Sequence, residues 1–367
     1  MPREFDELRL DDPQAGAEAL RATASAAARL RAARTAASEA PLEALADDGR
    51  PRAVVVVGAG TAGRAGEILA AVLGPGCPVP VVTVHDYRLP GWVGGHDLVV
   101  AAAATIGQTP EWVHECAVEA VRRGCRFLAV GPRDHALAGV AEQARAPAVA
   151  LPHVGGLVES PWETVAALLT AAERAGLPAV PDTAYEAAAA RLEQAAADYG
   201  PSAESWENEA KTAVLDMAGS LPLVCGATPV AEAAGRYFAS RLAAIAGYPA
   251  VCGRAPGLLD GPIAVLDGPF GGAGPRSIFD DPVENGGVSV RLVLLRDPED
   301  EGPQAARDLQ AAADTARERG SGVSEFSAPQ AGALERIAGL IALIDYATVY
   351  IAVAYGADPL AHTLVVR

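Results

Sequence analysis

Lysine is nearly absent from this chain: Lys211 is the only one among 29 Lys and Arg residues, which face 46 Asp and Glu residues. The formal net charge of −17 argues against nonspecific nucleic-acid binding, which needs a basic surface. An anionic ligand must therefore be held by local donors against the field of the whole protein. Any chemistry that requires a lysine side chain has a single candidate residue.

Cysteine is also scarce, and the few thiols are not arranged as ligands. The five residues are odd in number and lack metal-binding spacing: Cys77, Cys116, Cys125, Cys225 and Cys252. This pattern indicates buried, reduced thiols. We expect neither a metal ion nor another cofactor.

Long apolar runs are missing, although half of the residues are hydrophobic. No uninterrupted apolar stretch reaches about 18 residues, so no membrane-spanning helix is expected. Residues 1–12 are acidic and lack the apolar region of a signal peptide. The sequence predicts a soluble, cytoplasmic protein without a membrane partner.

Short apolar runs alternate with helical patterns along most of the chain. Runs such as Ala53-Val54-Val55-Val56-Val57 are β-branched and unalternated, which is typical of strands buried on both faces of a parallel sheet. Strands are predicted at 53–58, 79–85, 97–104, 126–131, 147–151, 221–226, 249–252, 289–296 and 322–327. Helices are predicted at 62–73, 110–123, 133–144, 161–175, 183–198, 205–218, 229–245, 303–318 and 330–355. The fold class is therefore α/β, with doubly wound parallel sheets.

Four segments follow from this pattern. Residues 1–50 form an alanine-rich helical segment and residues 51–180 a first α/β domain. Residues 181–204 form a helical linker, and residues 205–367 a second α/β domain.

A glycine-rich turn follows the first predicted strand and opens a helix. Its pattern, Gly58-x-Gly60-x-x-Gly63, is the dinucleotide fingerprint, and Asp86 near the end of the next strand could accept a ribose hydroxyl. Glycines also let the backbone approach any phosphate at a helix N-terminus. The turn alone fits a dinucleotide, another phosphate, or a tight turn without a ligand about equally well.

A second polar turn ends the third predicted strand. Thr109 is placed to cap the following helix, and Pro110 suits its first turn. Capping of the helix would by itself account for the polar residues of this turn, without any ligand. Alternatively, Thr105, Thr109 and free backbone N–H groups donate to a compact phosphate, which a dinucleotide site would not need.

Together with other segments, these turns resemble a known family, the double sugar isomerase (SIS) domain proteins, and specifically the bifunctional phosphoglucose/phosphomannose isomerases. The similarity includes Asp86-Tyr87-Arg88-Leu89-Pro90, Asn208-Glu209-Ala210-Lys211 and Leu294 to Asp300. It also includes Asp345-Tyr346 through Val349-Tyr350, followed by Gly356-x-Asp358-Pro359. The order of these segments over about 300 residues is more specific than the lone dinucleotide pattern. The resemblance implies two SIS-type, flavodoxin-like subdomains in a homodimer.

The resemblance also implies a sugar-phosphate site at the two turns. Carried over by position, the binding residues are Gly60, Thr61, Thr105, Gly107, Gln108 and Thr109. The family's serines are replaced here by Ala62, Ala104 and Ile106. Each lost hydroxyl removes roughly 1 kcal/mol or more of binding to a charged partner.

The catalytic segments of the family are replaced as well. Aldose–ketose isomerisation needs a positioned base, and the family supplies a glutamate where this chain has Arg254-Ala255-Pro256-Gly257-Leu258-Leu259-Asp260. The family's C-terminal lysine has no counterpart, and its arginine after the fifth strand is not evident. Asp260 and His362 are the nearest substitutes, although such residues are more often ordinary loop residues.

Three functions therefore compete. The first is a protein that binds a sugar phosphate such as glucose 6-phosphate, mannose 6-phosphate or fructose 6-phosphate, with altered or lost isomerase catalysis. The second is a structural or regulatory SIS paralogue that binds a partner enzyme of hexose-phosphate metabolism. The third and most distant is a dinucleotide-binding oxidoreductase.

Overall fold

A computed structural model describes residues 4–47, 49–103, 105, 108–153, 158–271 and 288–361. The strands are β1 Val54–Gly58, β2 Val81–Val84, β3 Leu98–Ala102, β4 Arg126–Pro132, β5 Ala148–Leu151, β6 Ser220–Gly226, β7 Val251–Arg254, β8 Ser289–Arg296 and β9 Gly322–Ser327. The α-helices are α1 Ala17–Ala24, α2 Ala26–Glu39, α3 Ala44–Asp47, α4 Gly60–Leu73, α5 Glu111–Arg122, α6 Ala136–Ala144, α7 Trp162–Arg174, α8 Asp182–Asp198, α9 Glu209–Met217, α10 Pro229–Arg241, α11 Pro303–Glu318 and α12 Ala333–Ala354. Short 3₁₀ helices cover Glu7–Leu10 and Pro262–Asp267, and a π-helical turn covers Leu242–Ala246. All nine predicted strands are confirmed, most within one or two residues.

The chain forms two compact units. One contains residues 21–193 with 333–335, and the other contains residues 1–20, 194–332 and 336–367. We call them the five-stranded unit and the four-stranded unit after their sheets. The segment boundaries predicted from the sequence remain a prediction.

The five-stranded unit is built on a parallel sheet with the order β2-β1-β3-β4-β5. Strands β1 and β3 are buried along their whole length, as their valine-rich sequences require in the middle of such a sheet. The chain leaves β1 toward β2 on one side and returns to β3 on the other. The order is that of flavodoxin, so a crevice is expected at the carboxyl ends of β1 and β3.

The four-stranded unit repeats this arrangement with the order β7-β6-β8-β9, again with every pair parallel. Its core packs β6 and β8 against α11 through residues such as Leu292, Leu294 and Leu309. The predicted fold class, two doubly wound parallel α/β sheets, is confirmed.

Lys211 is a structural residue of the four-stranded unit. Its side chain is 1% exposed, and Nζ donates to Asp11 Oδ1 at 2.9 Å and to the carbonyl of Ala203 at 2.8 Å. The Asn208 side chain accepts from the Lys211 backbone N–H and caps α9. A buried ammonium group with both partners in place is stabilising rather than reactive.

Helix α12 is the long apolar helix predicted at 330–355. By length and composition it could cross a membrane, although 94% of its apolar window is buried inside the structure. The helix contains Glu335, Arg336 and Asp345, but these three charged residues do not lower its mean hydropathy enough to exclude a span by composition. Burial on this scale is what the central helix of an α/β core shows.

The five cysteines are all free thiols. Burial raises the pKa of Cys116 to about 11 and that of Cys225 to about 12. Both thiols are therefore protonated at neutral pH and act as small apolar groups, as the sequence predicted. The other three thiols, Cys77, Cys125 and Cys252, are only half-buried, which the sequence did not predict.

Candidate functional site

The glycine-rich turn joins β1 to α4 as predicted. Gly60 has φ of +53°, in the left-handed region that favours glycine. A Cβ atom on Gly63 would collide with the carbonyl oxygen of Gly58, so these two glycines permit close packing of helix on strand. The N-cap of α4, Ala59, offers no side-chain hydrogen bond to the helix, so the turn leaves this helix N-terminus to other acceptors.

An acidic side chain of the same unit, Glu159, lies against this turn. Thr61 Oγ1 donates to Glu159 Oε2 at 2.9 Å, and Thr61 is only 7% exposed. A Cβ atom on Gly60 would lie 3.5 Å from the same carboxylate oxygen. The Thr61 hydroxyl therefore binds an anionic group, the Glu159 carboxylate, beside the N-terminus of α4. The helix dipole favours negative charge at that position.

A buried ion pair between Arg29 and Glu163 fixes the segment that carries Glu159. Arg29 donates from Nη1 to the carbonyl of Val158 at 2.9 Å and to Glu163 Oε1 at 3.2 Å. The side chains of Arg29 and Glu163 are 2% and 4% exposed. The Ser160 hydroxyl accepts from the N–H of Trp162, at the start of α7. The segment that carries Glu159 is thus anchored on both sides.

The polar turn after β3 is only partly described. Thr105 and Thr109 are half-buried and Gln108 is exposed, whereas Gly107 lies outside the described residues. The prediction that Thr109 caps the helix is wrong: α5 begins at Glu111, and Pro110 is the N-cap. Pro110 has φ of −58° but an extended ψ of 144°, which moves the helix start one residue further along.

Of the two weak catalytic candidates, the structure describes only Asp260. Asp260 is exposed, in the turn between β7 and the 3₁₀ helix Pro262–Asp267 of the four-stranded unit. His362 lies outside the described residues. Among the residues that the structure describes, no group of three or more His, Cys, Asp and Glu side chains could hold a metal ion.

His135 was missed by the sequence reasoning. It follows the carboxyl end of β4, and its Cε1 would lie 3.0 Å from a Cβ on Gly131, a position that also approaches Ala103 at the end of β3. Nδ1 is buried and has no hydrogen-bond partner among the residues that the structure describes. Burial lowers the pKa of the imidazole, so it is neutral at pH 7. Its place three residues after a strand could have marked it as a candidate.

A second titratable pair sits near the turn. His85, which follows β2, lies 3.3 Å from Glu67 Oε1, and Arg64 donates to the same oxygen at 2.7 Å. Burial alone would raise the pKa of the Glu67 carboxyl, but contacts with His85 and Arg64 outweigh it and hold the pKa below its ordinary value. A carboxyl whose pKa is lowered by folding stabilises the native state only while it is ionised.

We expect the Glu67 carboxylate, with its contacts to His85 and Arg64, to make a pH-dependent contribution to the free energy of unfolding. The contribution is present above the ordinary pKa of 4.5 and is lost as the pH falls through the lower pKa of the folded state. The free energy of unfolding should therefore fall more steeply in the native protein than in Glu67→Gln as the pH drops from about 5 to about 3. Urea denaturation at several pH values measures this, and parallel pH curves would show that Glu67 does not couple to folding.

Comparisons with known proteins show which proteins this chain is similar to. Residues 206–367 match the family model of the bacterial phospho-glucose isomerase C-terminal SIS domain. A bifunctional phosphoglucose/phosphomannose isomerase from Caldicellulosiruptor bescii is 24% identical over 306 residues, which cover 83% of this chain and 85% of that protein.

Two solved structures share the fold. The C-terminal domain of glucosamine-fructose-6-phosphate aminotransferase from Francisella tularensis superposes with a TM-score of 0.65 at 12% identity, covering 93% of this chain and 97% of that one. A glucose-6-phosphate isomerase like protein from Thermus thermophilus superposes with a TM-score of 0.52 at 20% identity, covering 85% of this chain and 84% of that one. The SIS-type architecture expected from the sequence is confirmed.

Proposed function

Because this chain belongs to the sugar isomerase (SIS) domain family, we propose that it binds a sugar phosphate at the carboxyl ends of β1 and β3 and does not isomerise it at an ordinary enzymatic rate. The binding residues are those inferred from the two turns: Gly60, Thr61, Thr105, Gly107, Gln108 and Thr109. The ligand is a hexose 6-phosphate such as glucose 6-phosphate, mannose 6-phosphate or fructose 6-phosphate.

The contact between Thr61 and Glu159 carries this proposal. A hydroxyl that donates to a carboxylate beside a helix N-terminus can donate equally to a phosphate oxygen. The chain's own carboxylate then stands in for the phosphate while the site is empty. Binding requires Glu159 to leave Thr61, since two anions at one donor repel each other.

We expect loss of turnover because residues 254–260, where the family carries its glutamate base, contain no glutamate. General acid–base groups contribute roughly 10²- to 10⁴-fold to a proton transfer. Asp260 is exposed in the four-stranded unit, and the segment 254–260 contains no glutamate or histidine. In a coupled assay, we expect glucose 6-phosphate to be converted to fructose 6-phosphate at least about a hundredfold more slowly than the typical 10 per second. Turnover at ordinary rates would contradict the proposal.

The same contact favours a second function. If Glu159 never leaves Thr61, the site is permanently satisfied and the chain acts as a non-catalytic structural or regulatory paralogue that binds a partner enzyme of hexose-phosphate metabolism. The internal anion would then replace the ligand in holding the turn together. The two functions differ in whether a sugar phosphate binds at all.

Ligand-dependent melting separates the alternatives. A ligand that binds only the native state raises its melting temperature once its concentration exceeds Kd. We expect glucose 6-phosphate or mannose 6-phosphate at millimolar concentration to raise Tm, while glucose and NAD do not. No shift with either sugar phosphate would favour the paralogue, and a shift with NAD alone would favour a dinucleotide site built on Gly58, Gly60 and Gly63.

The assembly and the compartment belong to the proposal as well. We propose a homodimer in the cytoplasm, on the model of the family that the sequence resembles. Light scattering coupled to size-exclusion chromatography measures the assembly. A mass of twice 37.4 kDa is expected, and a mass of 37.4 kDa would contradict the dimer.

A further inference from the structure

A basic pocket lies at the opposite edge of the five-stranded sheet from the proposed sugar-phosphate site. It is lined by residues just before β1, β3 and β4: Arg50, Arg52, Gly95, His96, Gly124 and Cys125, together with Arg126, the first residue of β4. In a parallel sheet the amino ends of all strands meet at one edge. Its volume is about 690 Å³, within the range of small-molecule sites.

The lining carries three guanidinium groups and no carboxylate. This is unusual in a chain with a net charge of −17. Asp97, buried beneath the pocket, accepts from Arg52 and balances one of these charges. Burial raises the pKa of the Cys125 thiol, so the thiol adds no negative charge. The lining therefore keeps a local positive charge of about two. This charge attracts an anion although the protein as a whole is negative.

The arginines are oriented by backbone carbonyls, which leave their charge in place. Arg50 Nε donates to the carbonyl of Gly176 at 3.1 Å, and Arg126 Nη1 donates to that of Gly49 at 2.7 Å. Arg52 Nη2 donates to the carbonyl of Trp92 at 2.6 Å. Carbonyl anchors fix a planar guanidinium and so lower the conformational cost of binding an anion.

Donors remain available within the pocket. Both terminal nitrogens of Arg50 and Nη1 of Arg52 make no hydrogen bond to the part of the chain that the structure describes. A Cβ atom on Gly124 would meet no atom within 4 Å, so the backbone beside these donors is open to a ligand. His96 is exposed at the rim and offers a further ring nitrogen.

We propose that this pocket is a second binding site, for a small anion with at least two negative charges. Two guanidinium groups with free donors match the paired oxygens of a phosphate or carboxylate group. The pocket is larger than a single inorganic phosphate needs, so it suits a diphosphate group or a molecule of that size. This site is independent of the sugar-phosphate site, because no residue is shared between them.

Calorimetric titration of the full chain with inorganic pyrophosphate tests the proposal. We expect saturable binding that weakens as NaCl rises from about 50 to 200 mM, because exposed charges are screened. Arg50→Gln should weaken the affinity about tenfold, since it removes a charged donor with one anchoring bond. Arg307→Gln, which removes another exposed arginine, on α11, should leave the affinity unchanged.

A third variant separates the two sites. Thr61→Val should leave pyrophosphate affinity unchanged while weakening any binding of glucose 6-phosphate. If Thr61→Val weakens pyrophosphate binding and Arg50→Gln does not, pyrophosphate binds at the glycine-rich turn and the second site is refuted. Absence of binding heat, or equal affinities of Arg50→Gln and the native chain, refutes it as well, whatever glucose 6-phosphate does.

Discussion

Glu159→Gln should raise the affinity for glucose 6-phosphate by about tenfold or more. The native carboxylate accepts from Thr61 at 2.9 Å, where the proposal places the phosphate. A phosphate therefore has to displace a charge of its own sign. Glutamine keeps an oxygen that Thr61 can donate to but carries no charge, so the turn stays formed and the repulsion disappears. Isothermal titration calorimetry on both proteins measures the change.

A charge-matched control isolates the local effect. Glu39→Gln removes one negative charge from the exposed end of α2 and changes the net charge by the same amount. We expect its affinity to stay within about twofold of the native chain, because salt screens the charge of an exposed side chain that makes no contact with the turn. An equal gain in both variants would assign the effect to overall charge. An unchanged affinity in Glu159→Gln would mean that this carboxylate does not compete with the ligand.

Arg29→Met should lower the free energy of unfolding by about 3–5 kcal/mol, the usual cost of removing one partner from a buried ion pair. Both side chains are almost fully buried, so Glu163 would be left with an uncompensated charge. The carbonyl of Val158 would also lose its donor. Urea denaturation measures the loss. A loss below about 1 kcal/mol, the usual size for exposed pairs, would contradict the role of Arg29 as the anchor of this segment.

Two further measurements sharpen that test. Burial raises the pKa of the Glu163 carboxyl even with Arg29 present, so removal of Arg29 should raise that pKa further. A carboxyl whose folded pKa is raised destabilises the native state above that pKa, and the deficit should shrink as the pH falls toward about 4. The double variant Arg29→Met/Glu163→Leu should recover most of the loss, since no buried charge remains.

The strands of this fold could be predicted because their signal is local. An unbroken run such as Val54 to Val57 specifies a strand buried on both faces wherever it occurs in an α/β chain. The glycine spacing likewise placed the turn between β1 and α4, since only glycine permits the close approach of residues 58 and 63. Helix α12 was located for the same reason, because most of its residues are apolar over 22 positions.

The chemistry at the turn could not be predicted because it depends on residues distant in sequence. Glu159 lies 98 positions from Thr61, and no local pattern links the two. Arg29 likewise reaches Glu163 across 134 positions from an alanine-rich helix with no functional motif. The error at Thr109 has a different origin, because the backbone angles of Pro110 decide which residue caps α5. Propensity favours a threonine cap but does not fix those angles.

A crystal structure of the chain soaked with glucose 6-phosphate tests the central claim most directly. We expect the phosphate to lie at the N-terminus of α4, within hydrogen-bond distance of Thr61 Oγ1, with the Glu159 carboxylate moved away from that hydroxyl. A structure at saturating ligand in which Glu159 still accepts from Thr61, with no sugar phosphate at the turn, would contradict the claim.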